Sequence, residues 1–172
     1  MSELLFNELP RPTFRWLRVN HTVSSLAGED TAVQSIAVEA NKDILSPLPV
    51  GTALLDGNYE GANKEAVHVL VEKAEGYAIN VPPKAKEVVG IRIDANARVA
   101  NRFQFIVGEG AELEVQFYVT GSGDALTNVS YLNEYDVKEA GKVVVKKVNL
   151  LPEHVQHIEH RYTKLEDTAD RS

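Results

Sequence analysis

The chain has 172 residues, 44% of them hydrophobic, with a formal net charge of −7 and no cysteine. That length and apolar share suit one domain with a real core rather than a disordered chain. The acidic balance excludes a phosphate-tracking nucleic-acid binder, and the lack of cysteine excludes disulfides, thiolate metal sites and a cysteine nucleophile. No stretch approaches the roughly 18 uninterrupted apolar residues of a membrane span. The opening Met1-Ser-Glu-Leu-Leu-Phe6 has no basic segment leading into an apolar run, so a cytoplasmic location is expected.

Residues 1–76 read as an N-terminal arm followed by a mixed, irregular region. Pro10 and Pro12 prevent a regular helix at the start, and Phe14-Arg-Trp-Leu-Arg-Val19 allows a short strand. Trp16 is expected to pin this arm to the body. Val33-Gln-Ser-Ile-Ala-Val-Glu39 predicts a strand, and Ser46-Pro-Leu-Pro-Val-Gly51 and Asp56-Gly-Asn-Tyr-Glu-Gly61 predict turn-rich loops. In Asn63–Ala74 two periods compete. Val67, Val69 and Val71 alternate as in a strand, while Ala66, Leu70 and Ala74 form a helical stripe.

Residues 77–165 read as β throughout. Phe103, Phe105 and Val107 share one face. Leu113, Val115, Phe117 and Val119 alternate with Glu112, Glu114, Gln116 and Tyr118, as when one sheet face is buried and the other wet. Val129, Tyr131, Tyr135 and Val137 continue an inward face interrupted by Asn133, and Lys146-Lys147 predicts a bend or bulge. Residues 166–172 read as a polar tail, with the chain ending in mid-pattern.

Three copies of one turn pattern organise this region: Val81-Pro-Pro-Lys-Ala-Lys-Glu-Val-Val89, Val107-Gly-Glu-Gly-Ala-Glu-Leu-Glu-Val115 and Val137-Lys-Glu-Ala-Gly-Lys-Val-Val-Val145. They are spaced 26 and 30 residues apart. A period of this size predicts stacked units, each too small to bury its own apolar face. The expected fold is mainly β, a β-solenoid; the alternative is an antiparallel β-sandwich.

Few residues look chemical. His154, His157 and His160 are candidate metal ligands, since imidazoles bind zinc or iron, with Glu153 and Glu159 nearby. On a helix the three would loosely share a face; on a strand His157 points away from the other two. Gly108-Glu-Gly110 and Gly121-Ser-Gly123 complete no phosphate-binding fingerprint and read as turns. The carboxylate pairs Glu112 with Glu114 and Glu134 with Asp136 fall on faces expected to be solvated. No catalytic set emerges. The strand region offers only His68 to a small barrel-type enzyme.

Several segments resemble, in order, the SufB/SufD family of iron–sulfur cluster assembly proteins. They are Phe14–Asn20, Tyr77–Ile93, Arg102–Val115, Leu126–Val129 and Glu134–Val143, so that the resemblance runs over about residues 10–165. Gly90 departs from it, standing where many members have proline. The resemblance implies a right-handed parallel β-helix core and a non-enzymatic scaffold role in the cytoplasm. The expected partners are a SufC-type ATPase and a SufB/SufD-type protein, with self-association as a further possibility. No intrinsic cofactor is expected; the iron–sulfur cluster belongs to the assembled complex. The family's cluster ligands, pairing surface and ATPase-docking helices lie beyond the residues matched, so no functional residue is carried over. A free-standing β-rich binding module, holding metal through the tail histidines, is the alternative function.

Overall fold

A computed structural model describes residues 4–6, 22–24, 36–55, 59, 64–96, 98–121 and 127–171. The strand expected at 14–19 and the Trp16 anchor lie outside these residues, as do residues 33–35 and the tip of the Gly121–Gly123 turn.

Two short strands, β1 (Leu4–Phe6) and β2 (Thr22–Ser24), pair antiparallel. The body begins with β3 (Ile36–Glu39) and β4 (Leu45–Leu48), followed by one helix, α1 (Lys64–Lys73). Then come β5 (Gly76–Val81), β6 (Lys86–Asp94), β7 (Val99–Val107) and β8 (Glu112–Thr120). The last strands are β9 (Thr127–Val137), β10 (Lys142–Leu150), β11 (Val155–Leu165) and β12 (Asp170–Arg171).

From β5 onward the chain alternates between two sheets. The odd sheet runs β11-β9-β7-β5-β4 and the even sheet β12-β10-β8-β6-β3. All pairs from β5 onward are parallel, Lys86 lying beside Glu112 and Glu112 beside Lys142. This is a parallel β-solenoid of about three turns, as the repeat predicted, and the parallel register excludes the sandwich. Among the described strands of these two sheets, β3 and β4 alone run antiparallel, on β6 and β5, at the N-terminal end of the stack. Ser46 and Pro47, read as loop, sit in β4. Proline is tolerated there because β4 is an edge strand.

Between the sheets lies an apolar core. Val89, Ile91, Ile93, Leu113, Val115, Phe117 and Val119 enter from the even sheet, and Phe103, Phe105, Tyr131 and Tyr135 from the odd one. Phe103 packs edge-on against Phe117 and Tyr131, with ring centroids 5.7 and 6.2 Å apart, and Phe105 stacks on Tyr135 at 4.7 Å. Each such side chain contributes roughly 1.5–3 kcal/mol by leaving water.

The repeated turn is one structural unit. Ala85 N–H donates to Pro82 O, Ala111 N–H to Gly108 O and Gly141 N–H to Lys138 O, at 3.2, 3.0 and 2.9 Å. Residues 166–172, read above as a polar tail, contain a fourth copy: Ala169 N–H donates to Glu166 O at 3.1 Å, and Asp170–Arg171 form β12. The third turn position has positive φ in each, at Lys84, Gly110, Ala140 and Thr168, which marks a type II turn. The turns also stack, Lys84 N–H donating to Glu109 O and Gly110 N–H to Glu139 O.

Only Gly110 takes that conformation without steric cost. A non-glycine residue there loses about 1–2 kcal/mol, partly offset by glycine's greater entropy in the unfolded chain. Lys84→Gly and Ala140→Gly are therefore each expected to stabilise the fold by roughly 0.5–1 kcal/mol. Chemical denaturation at neutral pH measures this.

The two outer faces differ. Helix α1 covers the odd sheet, burying Val67, Leu70, Val71 and Ala74 with Tyr59 and Leu132. Its helical stripe prevails over the valine alternation because that stripe has a sheet face to bury against. On the even sheet, β6 passes straight through Gly90, and a groove of about 680 Å³ opens there between Arg92, Gln116, Tyr118 and Lys146. Arg92 lies 6.0 Å from the Tyr118 ring centre. No helix among the described residues is long and apolar enough to cross a membrane.

Candidate functional site

Polar side chains gather in two places. The first lies beneath the α1 excursion, on the outer face of the odd sheet. Arg102 and Glu134 are both fully buried there, 3.7 Å apart. Glu134 accepts hydrogen bonds from Tyr59 O–H at 2.5 Å, Leu54 N–H at 3.0 Å and Gln104 Nε2 at 3.0 Å. Arg102 donates to the carbonyls of Val71, at 3.0 Å, and Thr52. Burial lowers the Arg102 pKa, against the opposing pull of Glu134. Burial and the Glu134 carboxylate push the Tyr59 hydroxyl up, so it stays a donor. The sequence placed Glu134 on a solvated face. The face is right and the solvation wrong, because Thr52, Leu54, Tyr59 and α1 lie over it. Packing is close here: a Cβ at Gly76 would run into the Arg102 carbonyl oxygen.

The second cluster occupies the last coil. The register sets His157 beside Val129, Glu159 beside Tyr131 and Arg161 beside Asn133, so His157 and Glu159 turn inward while Arg161, on the same face, stays exposed. Lys147 lies beside Phe117 and also turns inward, within an unbroken β10. The bend expected at Lys146-Lys147 does not form, because β8 holds the register through it. Glu159 accepts from Lys147 Nζ at 2.7 Å, Arg161 Nη2 at 2.7 Å and Asn133 Nδ2 at 2.8 Å. Burial pushes Glu159 up, but these cations outweigh it and hold the carboxyl below its usual range. His157 Nε2 lies 3.2 Å from Tyr131 O–H and 3.4 Å from Lys147 Nζ.

The three candidate histidines are not brought together. His154 precedes β11, His157 enters the interior, and His160, beside Leu132, lies buried on the opposite face. Among the described residues no group of three or more His, Asp or Glu side chains is placed to hold a metal ion. His68 sits on α1, 2.9 Å from Glu72. Glu112 and Glu114 do face outward, pairing with Lys86 at 2.7 Å and Lys146 at 2.8 Å.

Burial lowers His157 and His160 to about 4 each, helped at His157 by the Lys147 charge. Unfolded histidine titrates near 6.5, so between these values the unfolded chain binds more protons. Stability is then full above pH 6.5 and lost as pH falls towards 4. The fold is expected to lose about 2 kcal/mol at His160 between pH 7 and 5, and less at the half-buried His157. His160→Leu removes the larger share, measured as the pH dependence of the urea midpoint.

The cluster of Lys147, Glu159 and Arg161 was not read from the sequence, where Lys147 stood for a bend and Glu159 for a neighbour of the candidate histidine ligands. Their signal was present: adding the 28-residue offset of the last coil to inward positions 129, 131 and 133 gives 157, 159 and 161. For Arg102 and Gln104 no such signal exists, since an irregular segment covers them.

No family model matches the chain, and no curated protein or solved structure does either.

Proposed function

We propose that this chain is a non-enzymatic scaffold component of iron–sulfur cluster assembly, SufB/SufD-like, working in the cytoplasm with a SufC-type ATPase and a SufB/SufD-type partner. One observation carries the reading. The segments that resemble the family, Tyr77–Ile93, Arg102–Val115 and Glu134–Val143, hold equivalent places in successive coils, each spanning a type II turn and its flanking strands. The β-solenoid is also the core that the resemblance implies. In each polar cluster the carboxylate is paired with cations of the same chain, Glu134 with Arg102 and Glu159 with Lys147 and Arg161, an arrangement suited to holding shape. The cluster is cargo of the assembled complex in this reading.

Co-expression with a SufC-type ATPase and a SufB/SufD-type protein, followed by affinity capture, tests it. Stoichiometric co-purification with either one is expected. Capture of neither overturns the proposal.

A further inference from the structure

We infer that Lys147 and Asn133 become joined by an isopeptide bond across the core, with Glu159 relaying the proton. The inference stands on the geometry of these three side chains and not on the cluster-assembly reading. Lys147 Nζ donates to Glu159 Oε2 at 2.7 Å, and Asn133 Nδ2 donates to Glu159 Oε1 at 2.8 Å. One carboxylate therefore spans the amine and the amide. The coil register explains why they meet. Phe103 and Phe117 touch across the core, with ring centroids 5.7 Å apart. One coil further on, Asn133 follows Phe103 in the odd sheet and Lys147 follows Phe117 in the even sheet. The geometry that sets ring against ring sets amine against amide.

The surroundings suit the chemistry. Asn133 is fully buried, and the Lys147 and Glu159 side chains are 20% and 15% exposed. The Tyr131 ring centre lies 5.1 Å from Nζ. Arg161 shares Oε1 of Glu159 with Asn133, which leaves Oε2 to Lys147. Burial disfavours charged forms. Passing a proton from Nζ to Oε2 turns an ion pair into a neutral amine and acid, and is easier here than in water. The Nζ lone pair then forms a bond to Asn133 Cγ. The Cγ–Nδ2 bond breaks, and Nδ2 takes the proton from Glu159 and leaves as ammonia. A second proton shed by Nζ leaves with it, so the products are an amide and an ammonium ion. The step needs no oxidant and no co-reactant. A rigid core that holds both groups on one carboxylate replaces a chance encounter. Asn133 Oδ1 is also buried without a hydrogen-bond partner. An interior amide left half-satisfied asks for a use beyond packing.

Intact-mass spectrometry tests this on the full chain, folded and incubated overnight at neutral pH. The mass is expected to fall short of the sequence by one ammonia. Proteolysis is expected to release a branched peptide joining Lys147 to Asn133. Lys147→Arg keeps the charge but cannot make this bond, and Glu159→Gln removes the relay. Both are expected to keep the full mass, with circular dichroism confirming that each is folded. Ring closure of an asparagine onto its own backbone also sheds ammonia but needs no lysine, so Lys147→Arg separates the two reactions. A wild-type chain at full mass overturns the inference. So does an ammonia loss that survives Lys147→Arg, or one as fast in Glu159→Gln as in the wild type.

Discussion

Glu134→Ala is expected to lower the unfolding free energy by about 3–5 kcal/mol, read from urea denaturation at pH 7. The cost does not come from a strong attraction lost. Glu134 is fully buried and accepts hydrogen bonds from Tyr59, Leu54 and Gln104. Its removal leaves the Arg102 charge without a counter-ion and three donors without their acceptor, in a place water cannot reach. Restoring apolar packing tests that account. In the double variant Arg102→Met/Glu134→Leu both charges are gone, and the loss is expected to be smaller than the sum of the single losses. Additive losses would show that the two side chains act independently.

Phe103→Ala is expected to cost a similar 3–5 kcal/mol through the cavity it leaves. Phe103 is fully buried where three coils meet, touching Phe117 from the even sheet and Tyr131 from the next odd strand. Parallel strands hold these rings at fixed height, so the neighbours have little freedom to close the gap. Tyr118→Ala, on the open outer face, is the control and is expected to stay within about 0.5 kcal/mol. A Phe103→Ala loss as small as that would mean that the coils repack.

The solenoid was legible because its determinants are local and recur. Val81, Val107 and Val137 each precede a four-residue turn, and the alternation from Leu113 to Val119 declares which face is buried. The fourth turn was harder to see, since Leu165-Glu-Asp-Thr-Ala-Asp170 keeps the spacing while its chemistry drifts. Pro47 and Lys147 were misread for one reason. Local residue preference argued for a loop and a bend, and pairing with β5 and β8 overrode it. The polar clusters depend on what lies opposite in space. Glu134 looks like any outward carboxylate until Leu54, Tyr59 and α1 cover it, and Glu159 is recognisable as an interior group only once the coil register is known.

The two corners of each coil treat length differently. On the side of the type II turns, four residues always separate one strand from the next: 82–85, 108–111, 138–141 and 166–169. On the far side the connections are residues 95–98, 121–126 and 151–154. The first corner works as a ruler that sets the pitch, and the second takes up slack. A single residue added between Val107 and Glu112 therefore shifts all later coils against the earlier ones, and the hydrogen bonds from each of these turns to the next, such as Gly110 N–H to Glu139 O, lose their partners.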